Sequence, residues 1–220
     1  MARNKYPERT VEKILNVSEE LFLKKGYANT SMQDIINALS SEMTKGAIYH
    51  HFKSKDDMYS SIVNKRFDGI ISIFEQVLSR DDLNGAQKIT LANSLGAASE
   101  DQDTILNFMA QVQRQSDKLD PTIAAFIIRM AEEKFIPVYT KMAEEGVRDG
   151  SIKFEHPEVV AEAIVYVIFV WLSCRLTVLN AQEYGKRTEF VGKMFDSYGI
   201  KVISEEGLKV LTEKVQKHFS

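Results

Sequence analysis

Cysteine and proline are scarce in this chain of 220 residues. A single cysteine, Cys174, excludes an internal disulfide and a Cys-based metal site. Four prolines (Pro7, Pro121, Pro137, Pro157) leave long stretches free to be helical. No alternation of apolar and polar residues runs long enough to read as a strand. The longest apolar-rich stretch, Ala163–Cys174, has twelve residues, short of the ~20 that cross a bilayer. The N-terminus lacks the apolar run of a signal peptide. A cytoplasmic protein that does not enter a membrane is therefore expected. Catalytic patterns are also missing: no Gly-rich phosphate loop, no G-x-S-x-G and no H-E-x-x-H. The pairs Asp81-Asp82 and Glu144-Glu145 read as solvated helix ends. No enzyme, no cofactor and no metal is expected.

What is present is an ordinary globular composition, 44% apolar and 27% charged. The 28 Lys and Arg against 31 Asp and Glu give −3, so a basic surface has to be local. Residues 1–67 hold eleven basic and eight acidic residues, a net +3 that leaves −6 for the remainder. A small basic unit joined to a larger acidic one is a pattern of nucleic-acid binders.

From Glu8 to Lys25, Val11, Ile14, Leu15, Ser18, Leu21 and Phe22 recur at helical spacing, and Gly26 supplies a stop. Thr30 or Ser31 can cap a short second helix with Asp34 as the capping acid. A third begins near Met43-Thr44 and carries Ile48, Tyr49 and Phe52. Ser54 reads as the next N-cap, opening a long helix from Lys55 to about Leu78. Further helices are expected over Gly85–Leu95, Thr104–Gln115, Pro121–Glu145 (broken or kinked at Pro137), Pro157–Leu179, Lys186–Tyr198 and Glu205–His218. The expected fold class is all-α, nine or ten helices, with a small helical domain over 1–54 and a larger helical domain over 55–220.

Three short helices in about 45 residues fit a helix-turn-helix, whose third helix lies in the DNA major groove. That helix here is Thr-Lys-Gly-Ala-Ile-Tyr-His-His-Phe, Thr44–Phe52. Ile48 and Phe52, four apart, face the core. Lys45, Ala47, Tyr49, His50 and His51 are left outward, a face too small and polar for a core helix. His50 and His51 are neighbours in sequence, so they diverge by about 100° and cannot share an ion within one helix.

The run from Thr30 to Tyr59, TSMQDIINALSSEMTKGAIYHHFKSKDDMY, with ILNVSEELFLKKGYANTS before it, resembles the TetR/AcrR family of transcriptional regulators. The resemblance is specific over about residues 8–60 and architectural beyond. It implies that Thr30, Thr44, Tyr49, His50 and Lys55 touch phosphates. Lys45, Gly46 and Ala47 would lie against base edges, Gly46 permitting close approach. A capping hydroxyl and an ammonium near a helix start suit phosphate oxygens. Ser40–Met43 makes a turn about two residues longer than the family's, and Glu42 adds an acid there. Thr44 as N-cap and the Ile48/Phe52 pair still predict that the third helix opens within a residue or two of Met43–Lys45.

The resemblance further implies a repressor that binds an approximately palindromic double-stranded operator, is released by a small hydrophobic effector, and forms a homodimer through helices near 157–179 and 186–198. The first of these is apolar around its whole cylinder, which calls for burial on more than one side. Candidate cavity residues are Phe67, Phe74, Phe108, Met109, Gln113, Phe126, Met130, Tyr139, Tyr166 and Phe169, large or adaptable side chains suited to an apolar pocket. Gln111, Arg129 and Arg175 are further polar handles. Cys174 is expected as a buried small residue, His156 and His218 as surface residues. The alternative is a helical hydrophobic-ligand carrier or enzyme with a non-functional N-terminal helix-turn-helix; such a protein has no reason to keep Lys45, Gly46 and Tyr49 outward.

Overall fold

The computed structural model describes residues 7–113, 121–172 and 181–219, and within them not the side chains at 7, 108, 111–113, 121–124, 181 and 219. The described residues contain helices and no strand. The chain divides into two compact units, Met1–Arg66 and Phe67–Ser220.

In the first unit, α1 (Pro7–Lys25), α2 (Met32–Leu39), α3 (Lys45–His51) and the beginning of α4 (Lys55–Leu78) enclose one core. Ile14, Phe22, Ile35, Leu39, Ile48 and Met58 are withdrawn from solvent, each worth about 1.5–3 kcal/mol. Ser18 sits among them, fully buried, because its hydroxyl is satisfied by the Ile14 carbonyl at 2.7 Å. Gly26 ends α1 at φ +85°, a left-handed conformation that favours glycine. Ser31 caps α2 in a reciprocal pair with Asp34, whose carboxylate receives the Ser31 N–H at 2.8 Å. Asp34 is held far below the ordinary carboxylate range, chiefly by hydrogen bonds from Lys25 and Ser31. Ser54 Oγ accepts the Asp57 N–H at 3.1 Å and opens α4.

The second unit adds α5 (Gly85–Ala98), α6 (Glu100–Gln113), α7 (Pro121–Met130), α8 (Ile136–Asp149), α9 (Pro157–Val165), α10 (Ala181–Asp196) and α11 (Glu205–Phe219) to the rest of α4. A π-helical stretch, Ala131–Phe135, joins α7 to α8. Pro137 explains its position. The ring has no N–H and collides with the carbonyl four residues back in an α-helix. The wider turn, in which the Ile136 N–H reaches Ala131 O, absorbs the misfit.

The expected single helix from Pro157 to Leu179 needs correction. Its α-helical part ends at Val165, and Tyr166–Leu172 is π-helical; positions 173–180, including Cys174 and Arg175, lie outside the described residues. The run Tyr-Val-Ile-Phe-Val-Trp-Leu has no proline or glycine to mark the change, only crowded β-branched and aromatic side chains.

Two further expectations fail on ion pairs between residues distant in sequence. His218 is buried, its Nε2 3.0 Å from Asp103 Oδ1 across α11 and α6. Glu145 is no solvated helix end: it pairs with Lys88, whose buried ammonium also donates to the Leu78 carbonyl at 2.8 Å. A buried lysine is costly unless so partnered. His156 is exposed, as expected.

Candidate nucleic-acid interface and ligand cavity

Helix α3 presents two different faces. Ile48 and Phe52 point into the first unit's core. Thr44, Lys45, Gly46 and His50 are exposed, Tyr49 is 41% exposed, and Ala47 is half-buried. Thr44 caps the helix by accepting the Ala47 N–H at 3.2 Å. The Lys45 ammonium lies 5.7 Å from the centre of the Tyr49 ring. A methyl group built on Gly46 meets nothing closer than Thr44 Oγ1 at 4.0 Å. The fold therefore does not require glycine there. His50 and His51 rings stand edge to face, 5.2 Å apart, and the described residues contain no cluster of three metal-binding side chains.

The long turn is ordered locally. The N–H groups of Glu42 and Met43 both reach the Leu39 carbonyl at 3.0 Å, and Lys13 pairs with Glu42. The extra acid is thus drawn to α1. Helix α3 opens at Lys45, in the register that the Ile48/Phe52 pair demands.

Thr30 and Lys55 face inward. Thr30 is buried and its hydroxyl donates to Gly26 O at 2.9 Å. The Lys55 ammonium donates to Tyr27 O at 2.9 Å and Thr30 O at 3.1 Å, and lies 4.3 Å from the centre of the Tyr27 ring. Both tie down the loop that delivers α2.

The second unit holds a cavity of about 260 Å³. Phe67, Ile70 and Phe74 of α4, Ile105, Leu106 and Met109 of α6, and Ile127 and Met130 of α7 form much of its wall. Ile168, Phe169 and Leu172 reach it from the second π-helical stretch. Tyr184, Thr188, Val191 and Gly192 of α10 and Leu208 and Leu211 of α11 complete it. Asn93 is a buried polar group of its wall; it donates to Val202 O at 2.7 Å and accepts from the Tyr139 hydroxyl. Burial raises both Tyr139 and Tyr184, the latter to about 12, so neither hydroxyl ionises near neutral pH.

The sequence model described as "Bacterial regulatory proteins, tetR family" matches residues 14–62. That span contains α2, α3 and the capped start of α4. The chain is a DNA-binding transcriptional regulator whose N-terminal domain matches the TetR family. It is 27% identical over 146 residues to the HTH-type transcriptional regulator QacR of Staphylococcus aureus, covering 63% of this chain and 71% of that one. To the HTH-type transcriptional repressor DhaR of a Mycobacterium species it is 26% identical, over 90% of this chain and 94% of the other. A transcriptional regulator of Cytophaga hutchinsonii, 13% identical, shares the fold with TM-score 0.64 over 97% of this chain and all of the other (100%). A TetR-family protein of Syntrophomonas wolfei, 24% identical, superposes with TM-score 0.59 over 90% and 96%.

In this regulator five of the ten expected cavity residues, Phe67, Phe74, Met109, Met130 and Phe169, line the cavity. Tyr139 is buried behind Asn93. Phe126 packs against Phe67 at 6.0 Å, with the exposed Arg129 over its outer side. Tyr166 lies on the surface and donates to Glu132 at 2.7 Å. Phe108, Gln111 and Gln113 have side chains outside the described ones. Missed from sequence were Asn93 and the α10–α11 wall. An amide amid the Ala, Leu and Gly residues of the later part of α5 was the available signal for Asn93, since a buried amide needs partners.

Proposed function

We propose that this regulator is a homodimeric repressor that is released from its operator when a small hydrophobic effector fills the cavity of the second unit. Relatives named repressors include DhaR and the KstR2 protein of Mycolicibacterium smegmatis. The observation that carries the DNA reading is the outward face of α3: Lys45, Gly46 and Tyr49 stand free while Ile48 and Phe52 anchor the helix from behind. Residues 1–54 are assigned to DNA, with Lys45, Gly46 and Ala47 toward base edges and Thr44, Tyr49 and His50 toward phosphate. Thr30 and Lys55 support that surface by fixing the loop before α2, and any contact they make with phosphate is through a rearranged side chain. The second unit is assigned to effector and dimer.

Support for dimerisation comes from exposed apolar side chains on the two expected segments. Phe190 on α10 is 60% exposed, Val159 on α9 48%, and Tyr166 and Trp171 each 37%. A C2 interface that covers them removes that apolar surface from water. The two α3 copies would then reach successive major grooves, about 34–36 Å apart or a multiple of that. Among the described residues no helix is long and apolar enough to cross a membrane, which fits a cytoplasmic regulator.

Helix α4 offers a route from effector to DNA. Its first residue, Lys55, holds the loop before α2, and Phe67, Ile70 and Phe74 further along the same helix line the cavity. An effector that displaces those rings would tilt the helix and alter the spacing of the α3 pair. Coupling of this kind is typically about 1–3 kcal/mol.

The test is selection of bound fragments from the source genome, followed by titration of the selected site at several salt concentrations. A palindromic site whose affinity falls steeply with salt is expected. Lys45→Ala should change base preference, whereas Tyr49→Ala should weaken all sequences alike. Recovery of no preferred fragment, or identical selection by Lys45→Ala and Tyr49→Ala proteins, would refute the assignment.

A further inference from the structure

The wall of the cavity is apolar and neutral within, but its rim is charged. Four exposed ionisable residues line it, and all come from the second half of α10 or from residues 201–205 at the opening of α11: Glu189, Asp196, Lys201 and Glu205. The mouth is therefore the gap between α10 and residues 201–205. Glu189 is neutralised by Lys193 at 2.6 Å, one turn away. Glu205 is matched by Lys201 at 3.6 Å. Asp196 has no ion pair among the described residues, so the rim carries an excess negative charge.

The backbone adds to it. Asp196 is the last residue of α10, a helix of sixteen residues, and the carbonyl end of a helix carries partial negative charge. Inside, the polar groups are Asn93, Tyr184, Thr188 and Gln102, none of which is cationic. The Asn93 amide is already engaged on both sides by Val202 and Tyr139. No lining group offers an anion a counter-charge except Lys201, which Glu205 already holds.

We propose that Asp196 and the end of α10 make the cavity select ligands with an apolar body and a positively charged head, the head resting at the rim and the body in the Phe67, Phe74 and Phe169 wall. This rests on the reading of the cavity as the effector site. A carboxylate or phosphate head on the same body meets like charge at the mouth and no cationic group inside. Exposed charges are screened, so the discrimination is moderate at physiological salt and disappears at high salt.

Gly192 supplies an independent handle. It lines the cavity from α10, and a methyl group built on it meets no atom within 4 Å. Gly192→Leu should therefore push a side chain into the mouth with the fold intact, and leucine favours the helix.

Three probes share a ten-carbon chain and differ in the head: decyltrimethylammonium, decanol and decanoate, each used below its micellar concentration. Binding to the full-length protein is measured by calorimetry in low salt and in 1 M NaCl. Decyltrimethylammonium should bind about tenfold more tightly than decanoate in low salt, and within roughly twofold of it in 1 M NaCl. Asp196→Asn should cut the preference at least about threefold and leave decanol unchanged. Gly192→Leu should weaken all three. Equal or tighter binding of decanoate overturns the charge selection while leaving the effector site standing, provided decanol binds and Gly192→Leu blocks it. A cation preference untouched by Asp196→Asn overturns the role of that carboxylate. Failure of all three probes, or binding indifferent to Gly192→Leu, removes the effector-site reading and this inference with it.

Discussion

The rings of Phe135 and Phe169 stack face to face, centroids 3.9 Å apart and planes 30° from parallel, and each ring sits on a π-helical stretch. Phe135 is fully buried and also meets Phe67 and Phe74 edge to face at 5.8 and 5.7 Å. Phe169 turns its other side to the cavity. The two irregular stretches are thus fastened to one another at the cavity wall, where a widened turn re-aims side chains.

The two rings should behave differently when removed. Phe135→Ala empties the centre of the cluster and should cost about 3–5 kcal/mol. Phe169→Ala enlarges a cavity that already exists and should cost less, while changing ligand affinity more. Stacking predicts a coupling of about 0.5–1.5 kcal/mol between them in a double-mutant cycle read by urea unfolding. Additive effects of the two substitutions would show that the stack contributes nothing.

Asp103 fastens α6 to α11, both of which line the cavity. It accepts from Lys217 at 3.0 Å and lies 3.0 Å from His218 Nε2. Burial alone would raise its carboxyl, but the hydrogen bonds from His218 and Lys217, with their charge, outweigh that and hold it below the ordinary range. A depressed folded-state value means that the stabilisation is present above the unfolded value, about 3.9, and is lost as pH falls through the folded one. The side chain is 33% exposed, so solvent screening limits the contribution to about 1 kcal/mol. Asp103→Asn should lower the urea midpoint at pH 6, and the gap to the natural protein should narrow on acidification below pH 4. A gap independent of pH would mean that the carboxylate charge is not what stabilises.

Much of the first unit was legible because its signals are local. Ser31 and Asp34 lie three apart, as do Ser54 and Asp57, and Ile48 and Phe52 lie four apart. Spacing alone then fixes which side of α3 is free. The two extra residues at Ser40–Met43 close on Leu39 nearby and leave the register downstream untouched. What escaped was non-local or periodicity-neutral. The partner of His218 is 115 positions away, and the lysine that buries itself on Glu145 sits 57 positions earlier. A π-helical stretch in a wholly apolar run shifts the face of the helix without altering its composition. Pro137 announced one interruption; nothing in Tyr166–Leu172 announces the other. For the cavity, sequence supplies the apolar side chains but not which of them the packing leaves uncovered.

Gly85 opens α5 against α8. A methyl group built on it collides with Gly146 N and Met142 O, both backbone atoms that no rotamer change can move. Gly85→Ala must separate the two helices and break the bond from the Gly85 N–H to Asp149, now 2.9 Å. A loss of about 3 kcal/mol is expected, seen as a large drop in thermal midpoint. A midpoint within a degree or two of the natural protein's would mean that the helices have slack the structure does not show.

Gly46 is the opposite case, and the contrast separates fold from function. Nothing in the protein crowds it, its backbone is in the ordinary helical region, and it lies on the exposed face of α3. Alanine there should raise stability by up to about 1 kcal/mol, because glycine is the weaker helix former. If α3 lies in the major groove with its outward face against the bases, the added methyl occupies space that DNA fills. Gly46→Ala should then weaken operator binding by roughly tenfold or more, about 1.4 kcal/mol, while melting at or above the temperature of the natural protein. Effector-probe binding in the second unit should be unchanged. A Gly46→Ala protein that is more stable and binds its operator with full affinity would place the DNA somewhere other than against this face of α3.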